Sequence, residues 1–262
     1  MNERKQPVLF IHGAWHGAWT WEEWVPLFRE EGYQAQAVTL RGHGPGEKGY
    51  RGVGLEDYRE DLKALIERLP QTPVLVGHSL GGLLIQHLLA DRRLPAAVLL
   101  APIPGRYPAR IILRNSLRHP WTMTKSTLRN DLAALVATPE LVREVLFTPE
   151  TPADVVADCH LRLTGAWPGL FREMVATAPP EPLPGTPALL LAPDQDSSFT
   201  VDMQRKLAGK LGAEFRTIRG AGHNLPLDSP WRAAAQATLD FLASHPPAER
   251  AVVASTNNRN PR

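Results

Sequence analysis

Cysteine is almost absent from this sequence of 262 residues, which contains only Cys159. One cysteine excludes an intrachain disulfide, and it also excludes the paired thiolates of zinc fingers and CxxC redox motifs. A strong charge excess is absent too, because 29 Lys and Arg stand against 27 Asp and Glu, a formal net charge of +2. This balance does not favour nucleic-acid binding, and we expect no nucleic-acid partner.

Long apolar runs and nucleotide-binding motifs are also lacking. The charged start MNERKQ leads only into a short apolar run that ends at Ile11. We therefore expect no signal peptide, no stable membrane insertion and a cytoplasmic location. The sequence has no GK[ST] phosphate loop, and its GxGxxG pattern at 44–49 contains Pro45 and does not open a helix. We expect no cofactor.

The most informative stretch is residues 74–89, VLVGHSLGGLLIQHLL. An apolar run typical of a β-strand enters the segment GHSLG, and a run with helical apolar spacing follows it. Gly-x-Ser-x-Gly between a strand and a helix is typical of a nucleophile elbow, which exposes Ser79 at the top of a sheet. We expect Gly77 and Gly81 to let strand and helix approach closely. The N–H of Leu80, in the first helical turn, is a candidate oxyanion donor.

Strand and helix patterns alternate on both sides of this stretch. Strands are predicted at 7–11, 33–40, 73–77, 96–101, 188–192 and 214–218, and helices at 21–31, 55–69, 80–91, 201–211 and 229–244. This alternation predicts a doubly wound α/β fold with a mainly parallel sheet of about six strands and helices on both faces.

The strand rhythm stops in the middle of the chain. Helices interrupted by proline are predicted at 108–119, 127–137, 139–147, 152–164 and 167–177. We therefore expect a core formed by 1–104 and 185–245, an inserted helical cap at 105–184 and a flexible tail at 246–262.

The partners that a serine nucleophile needs follow late strands. A hydroxyl needs a base within hydrogen-bond reach, and that base needs an acid to orient it. His223 lies in a glycine loop after the last predicted strand and is the candidate base. Asp194 and Asp196 follow the strand before it. We favour Asp196 because it lies further past the strand end, and Asp194 remains the alternative.

The first loop supplies the second candidate oxyanion donor. Gly13 lets the backbone turn after the first strand, and the N–H of Ala14 is the predicted donor. His12 is expected to orient this loop. Trp15 and His78 are candidate substrate-lining residues, although His78 is expected to pack or to bond backbone. His12 and His16 are four residues apart in a glycine loop rather than on a helix, so no metal site is expected.

A basic amphipathic pattern stands out in the predicted cap. Arginines recur at 106, 110, 114 and 118 beside Ile111, Ile112, Leu113 and Leu117. Such a helix faces a membrane surface, an anionic substrate or solvent, and the sequence leaves these alternatives open.

Five motifs together resemble the α/β-hydrolase superfamily over residues 7–245. They are VLFIHGAW (8–15), LRGHG (40–44), VLVGHSLGG (74–82), APDQD (192–196) and GAGHNLP (220–226). The doubled HGAW at 12–19 is similar to plant methylesterases and hydroxynitrile lyases. Those lyases carry a lysine directly after the catalytic histidine, so Asn224 argues against cyanohydrin cleavage. The family acid stands three residues after a strand-end glycine; Pro193 replaces that glycine, and Asp196 matches.

The resemblance implies a function as well as a fold. It implies a cofactor-independent serine hydrolase that cleaves a small-molecule carboxylic ester through an acyl-enzyme on Ser79. The same triad acting on a C–C bond, an amide or a lactone is one alternative. A hydrolase-fold ligand receptor is another. The sequence predicts no oligomeric state.

Overall fold

The described part of the chain forms one six-stranded sheet in which every neighbouring pair of strands is parallel. The computed structural model describes residues 5–44, 52–105, 109–129, 132–165 and 168–246. The strands are β1 (Pro7–Ile11), β2 (Gln34–Val38), β3 (Val74–His78), β4 (Ala97–Leu100), β5 (Ala188–Pro193) and β6 (Glu214–Ile218), in the order β2-β1-β3-β4-β5-β6. The predicted parallel sheet is confirmed. The GxGxxG pattern lies largely, and the tail from residue 247 wholly, outside the described residues.

Helices cover both faces of the sheet. They are α1 (Trp24–Glu30), α2 (Leu55–Arg68), α3 (Leu80–Asp91), α4 (Ala109–Arg118), α5 (Pro120–Arg129), α6 (Pro139–Leu146), α7 (Ala153–Arg162), α8 (Pro168–Ala176), α9 (Val201–Leu211) and α10 (Trp231–Ser244). Alternate strand residues enter two separate cores. In β1, for example, Leu9 and Ile11 join one core and Val8 and Phe10 the other.

One predicted helix is shorter than expected and another was wrong. Within the predicted helix at 21–31 the structure has α1, which begins only at Trp24, after a 3₁₀ turn at Ala18–Trp21. The predicted helix at 127–137 does not exist as one element, because α5 ends at Arg129 and a separate 3₁₀ turn covers Leu132–Val136. Pro120 occupies the first position of α5, where its fixed φ and missing N–H are tolerated. Proline therefore begins a helix here rather than only ending one.

Close approach at the predicted elbow requires glycine. A Cβ added to Gly77 would lie 2.6 Å from the carbonyl oxygen of Gly81. A Cβ added to Gly81 would lie 2.3 Å from the carbonyl oxygen of Ile11, at the end of β1. Both distances are far below van der Waals contact, so α3 packs against the ends of β3 and β1 only because these side chains are absent.

The segment between β4 and β5 contacts two loops at the carboxyl end of the sheet. The N–H of Thr164 donates to the carbonyl of Trp15 at 2.8 Å, in the loop after β1. The N–H of Asn224 donates to the carbonyl of Leu146 at 2.7 Å, in the loop after β6. These bonds place parts of the helical segment beside the strand ends. Its treatment as a separate cap stays a prediction.

A buried carboxylate joins this segment to the loop that carries His223. The side chain of Asp228 is fully buried. Its Oδ1 accepts hydrogen bonds from Thr151 Oγ1 at 2.6 Å and from the N–H of Ser229 at 2.8 Å. Its Oδ2 accepts from the N–H of Gly222 at 2.6 Å. One side chain thus fixes both the start of α7 and the backbone next to His223.

Removing this carboxylate should destabilise the fold. The variant Asp228→Ala leaves the buried N–H of Gly222 without its acceptor and removes the hydrogen bond to Thr151, so we expect the free energy of unfolding in urea to fall by about 3 kcal/mol. Asp228→Asn keeps one acceptor oxygen and should lose less. Asp240→Ala, at an exposed position of α10, is the control and should change stability by less than about 0.5 kcal/mol. Equal stability of the Asp228→Ala and Asp240→Ala variants would contradict the role of Asp228.

Candidate active site

The predicted site residues follow four strands of one parallel sheet. Ser79 follows β3, Asp196 follows β5, His223 follows β6 and Ala14 follows β1. The carboxyl ends of parallel strands meet at the same edge, which is where ligand sites of open α/β sheets lie. The structure brings all four residues to this edge.

Ser79 occupies a strained turn between β3 and α3. Its φ is +50° and its ψ is −108°, in a region that L-residues rarely adopt. Its N–H donates to the carbonyl of Leu100 at 3.0 Å, and its carbonyl accepts from the N–H of Leu83 at 3.1 Å. The sheet and the first turn of α3 therefore hold the residue in this conformation. Ser79 Oγ lies 3.0 Å from Nε2 of His223.

Asp196 orients the imidazole from the opposite side. Its Oδ2 lies 2.9 Å from Nδ1 of His223, and its side chain is only 1% exposed. Its Oδ1 accepts from the N–H groups of Ser198 at 2.7 Å and Phe199 at 3.0 Å. A carboxylate accepts only, so these partners assign the proton to Nδ1 and leave Nε2 to accept from Ser79.

Asp194, the alternative acid, points elsewhere. It is exposed, and its Oδ1 accepts from the N–H of Gly220 at 2.8 Å. The structure thus places Asp196, and not Asp194, against His223. The acid role of Asp196 follows from this geometry only as a proposal.

Both candidate oxyanion donors lie next to the serine in the fold. A Cβ added to Gly13 would lie 3.2 Å from Cβ of Ser79, so the loop with Ala14 passes directly beside the elbow. No acceptor within the described residues pairs with the N–H of Ala14. Leu80 is the first residue of α3, where the backbone N–H has no intrahelical acceptor. Their function as donors stays a prediction.

Trp15 has an unusual backbone conformation next to Ala14. Its φ is +65°, which is rare for a bulky residue. Its carbonyl accepts from the N–H of Thr164 at 2.8 Å and from Thr164 Oγ1 at 3.2 Å. Its indole packs 5.5 Å from the ring of Phe171, and the residue is 7% exposed. Residues from the segment between β4 and β5 thus hold the first loop in place, and substrate contact by Trp15 stays a prediction.

Two buried histidines fix the backbone of the loop after β1 by hydrogen bonds. Nδ1 of His12 donates to the carbonyl of Gly13 at 2.8 Å, and its Nε2 accepts from the N–H of Leu40 at 3.0 Å. His12 therefore orients this loop, as expected. Nδ1 of His16 lies 2.7 Å from the carbonyl of Ala14 and donates to it. The carbonyls on both sides of the candidate oxyanion N–H are fixed by imidazoles.

His78 connects the elbow to the loop of His223. Its Nε2 donates to the backbone carbonyl of His223 at 2.9 Å, and the two rings lie 5.2 Å apart. The expectation that His78 bonds backbone agrees with this contact. The residue is only 1% exposed, and its candidate role in lining the substrate pocket stays a prediction.

Burial keeps these imidazoles uncharged at neutral pH. The pKa of His16 is lowered to about 4, mainly by desolvation and in smaller part by the nearby His223. Desolvation also lowers the pKa of His12 and the pKa of His78 well below the usual value, and neighbouring histidines add to both effects. The imidazole that lies directly beside His223, that of His78, is therefore neutral.

Sequence reasoning missed a supporting aromatic residue. The ring of Phe199 lies 5.3 Å from that of His223 at an interplanar angle of 69°, an edge-to-face contact. Phe199 is 1% exposed and so shields the imidazole from water. Its position three residues after Asp196 was the only signal in the sequence.

We also searched the described ranges for a metal site, a membrane-spanning helix and a reactive thiol. There, no group of three or more His, Cys, Asp or Glu is arranged to hold a metal, and no helix is long and apolar enough to cross a membrane. Burial raises the pKa of the Cys159 thiol to about 12, and Asn224 Nδ2 donates to its sulfur at 3.6 Å. A protonated, buried thiol is a poor nucleophile.

The neutral histidines predict acid sensitivity. The unfolded chain binds protons on histidine near pH 6.5, whereas folded His12, His16 and His78 bind them only at lower pH. The folding stability that these neutral histidines allow is therefore complete above about pH 6.5. As the pH falls towards 4, the unfolded chain binds protons that the folded chain does not, and the free energy of unfolding falls by about 1.4 kcal/mol per pH unit for each such proton. Urea unfolding measured across this range tests the slope.

A matched pair of variants isolates the effect. His16→Asn keeps a donor for Ala14 but does not titrate, so the slope should decrease by about one proton. Gln236→Ala replaces a side chain that does not titrate, at an exposed position of α10, and should leave the slope unchanged. A stability profile that is flat between pH 6.5 and 4 would show that these histidines titrate normally.

Comparisons with known proteins agree with the fold and the motifs. Methylesterase 3 of Arabidopsis thaliana is 42% identical over 86 residues, which cover 31% of this chain and 33% of that protein. The protein named "Probable esterase PIR7A" of Oryza sativa subsp. indica is 33% identical over 173 residues, which cover 59% and 65%. The chain thus spans less than two thirds of the length of either relative.

A solved structure gives the same overall architecture. The crystal structure of bromoperoxidase from Bacillus anthracis matches with a TM-score of 0.73 at 22% identity, covering 91% of this chain and 92% of that one. Residues 8–237 match the sequence model described as "Alpha/beta hydrolase family". Because this match includes β1 to β6, the elbow and the loop of His223, the chain belongs to the alpha/beta hydrolase family.

Proposed function

We propose that this protein is a serine hydrolase that cleaves carboxylic esters through an acyl-enzyme intermediate. The observation that carries the proposal is the hydrogen-bonded line from Ser79 Oγ to His223 at 3.0 Å and from His223 to Asp196 at 2.9 Å. In this arrangement a base and an orienting acid activate a hydroxyl that is otherwise a weak nucleophile.

The proposed reaction has two halves. Ser79 Oγ attacks the ester carbonyl carbon while its proton passes to Nε2 of His223. The tetrahedral intermediate then collapses, the C–O bond to the alcohol breaks, and His223 gives the proton to the departing oxygen. In the second half His223 takes a proton from water, which attacks the acyl carbon. The carboxylic acid leaves, and Ser79 regains its proton.

The surroundings support charge formation in both halves. Asp196 faces the imidazolium that forms on His223, stabilises its positive charge and holds the ring in one orientation. The N–H groups of Ala14 and Leu80 bind the oxyanion, and one such donor typically contributes about 3 kcal/mol to the barrier reduction. Because both donors belong to the backbone beside the elbow, they need no rearrangement when the charge develops.

The relatives and the apolar surroundings suggest the substrate class. Curated relatives are named methylesterase and esterase. Ala14 and Trp15 belong to a buried apolar cluster together with side chains from 105–184. We infer an uncharged or weakly charged acyl group on a small alcohol, bound under a cap formed by 105–184. A small-molecule ester is thus the proposed partner, and no cofactor takes part in the reaction.

Loss of the serine hydroxyl should abolish turnover. We expect Ser79→Ala to lower kcat/KM for p-nitrophenyl butyrate by roughly 10⁴-fold or more, because no other group takes the place of the nucleophile. Ser244→Ala, near the end of α10, is the control and should retain full activity. Retained turnover in a folded Ser79→Ala variant would refute the mechanism.

The two neighbouring carboxylates give a matched test of the acid. Asp196→Asn should lower kcat by roughly 10⁴-fold, because an amide no longer holds the productive tautomer of His223. Asp194→Asn should keep kcat within about twofold, since its carboxylate binds the N–H of Gly220 instead. If the two variants lose activity equally, the assignment of Asp196 is wrong.

A further inference from the structure

Two helices of the inserted segment expose an unusual amount of apolar side chain. In the described part of the chain six large apolar side chains are strongly exposed, and four of them lie on α4 and α5. Leu113 and Leu117, one helical turn apart on α4, are 61% and 75% exposed. Trp121 and Leu128, two turns apart on α5, are each 81% exposed. We name these four side chains the apolar stripe.

The stripe does not result from loose packing of the helices. Ile111 of α4 is 3% exposed and belongs to the core cluster that also contains Trp15 and Phe199. Ser126 of α5 is 1% exposed. Both helices therefore bury one face against the protein and turn the other, which carries the stripe, outwards. An outward apolar face of this kind marks an interaction site.

The same helices carry a strong excess of positive charge. From Ala109 to Arg129 the sequence has four Arg and one Lys and no Asp or Glu, whereas the whole chain has a net charge of only +2. Without these five residues the rest of the chain is net negative. Arg114, Arg118 and Lys125 are exposed. Arg118 Nε lies 3.1 Å from Glu144 of α6, which offsets part of this charge.

The surface adjoins the loop that carries Asp196. A small cavity of about 30 Å³ separates α4 and α5 from this loop, and it is lined by Arg114, Arg118, Ser197 and Ser198 among others. The backbone N–H of Ser198 donates to Asp196. Two arginines of α4 that neighbour the stripe in sequence therefore lie close to the loop that holds the candidate acid.

We propose that the outward face of α4 and α5 docks the protein on anionic lipid bilayers. Helices that lie in a bilayer interface typically expose leucine and tryptophan beside arginine and lysine. The surface of α4 and α5 has this composition and lacks acidic residues. A second copy of the chain fits less well, because a symmetric pair would bring two positive faces together. Docking is peripheral and does not depend on the proposed esterase activity.

Vesicle binding tests the proposal with the full chain. We expect co-sedimentation with vesicles of equal parts phosphatidylcholine and phosphatidylglycerol to be at least tenfold stronger than with phosphatidylcholine alone, and to weaken at high salt. The triple variant Leu113→Ser, Leu117→Ser and Trp121→Ser should bind anionic vesicles at least tenfold more weakly. Leu161→Ser, an 81% exposed position on α7, is the matched control and should bind normally.

Two further measurements distinguish lipid docking from association between copies of the chain: vesicle binding by charge variants, and the oligomeric state. Arg114→Gln combined with Lys125→Gln should weaken binding to anionic vesicles roughly tenfold and leave binding to neutral vesicles unchanged. Each variant should keep the wild-type circular dichroism spectrum, which shows that weaker vesicle binding does not come from misfolding. Absence of wild-type binding, or equal binding by the triple variant and wild type, would overturn the proposal. A dimer in light scattering that the triple variant converts to monomers, without vesicle binding, would instead identify an interface between copies.

Discussion

The site depends on one constraint, which is that the imidazole of His223 has a single orientation between an acceptor and a donor. Asp196 accepts from Nδ1 at 2.9 Å, so Nε2 is left to face Ser79 Oγ at 3.0 Å. The backbone under this ring is fixed independently, because His78 donates to the carbonyl of His223 and Asp228 accepts from the preceding N–H. Geometry at the serine therefore rests on contacts from three separated parts of the chain.

Three buried histidines near the site are uncharged at neutral pH. His12, His16 and His78 are buried with lowered pKa values, so they act as neutral hydrogen-bond donors and acceptors around the candidate oxyanion loop. Ser79 and Trp15, which both have a positive φ, lie in the same region as these buried histidines. Strain at these positions persists because the neighbouring strands, α3 and Thr164 hold the backbone on both sides.

Much of the fold and of the candidate site was predicted from the sequence. The predictions that failed, or that left alternatives, have physical causes. Glycine spacing and strand pattern located Ser79 and His223, since each motif depends on local backbone geometry. Two carboxylates in one loop left Asp194 as an alternative to the favoured Asp196, because only the turn of the chain decides which one reaches the imidazole. The bond between Asp228 and Thr151 joins ordinary residues 77 positions apart and leaves no local pattern. Pro120 misled the helix prediction because proline both starts and stops helices.

Covalent labelling with a fluorophosphonate, followed by peptide mapping, tests the central claim most directly. The reagent reacts with a serine only where a base has activated the hydroxyl. The account predicts stoichiometric modification of Ser79 in the wild type and labelling slowed by orders of magnitude in His223→Gln. Modification of another serine, or no labelling of a folded protein, would contradict it.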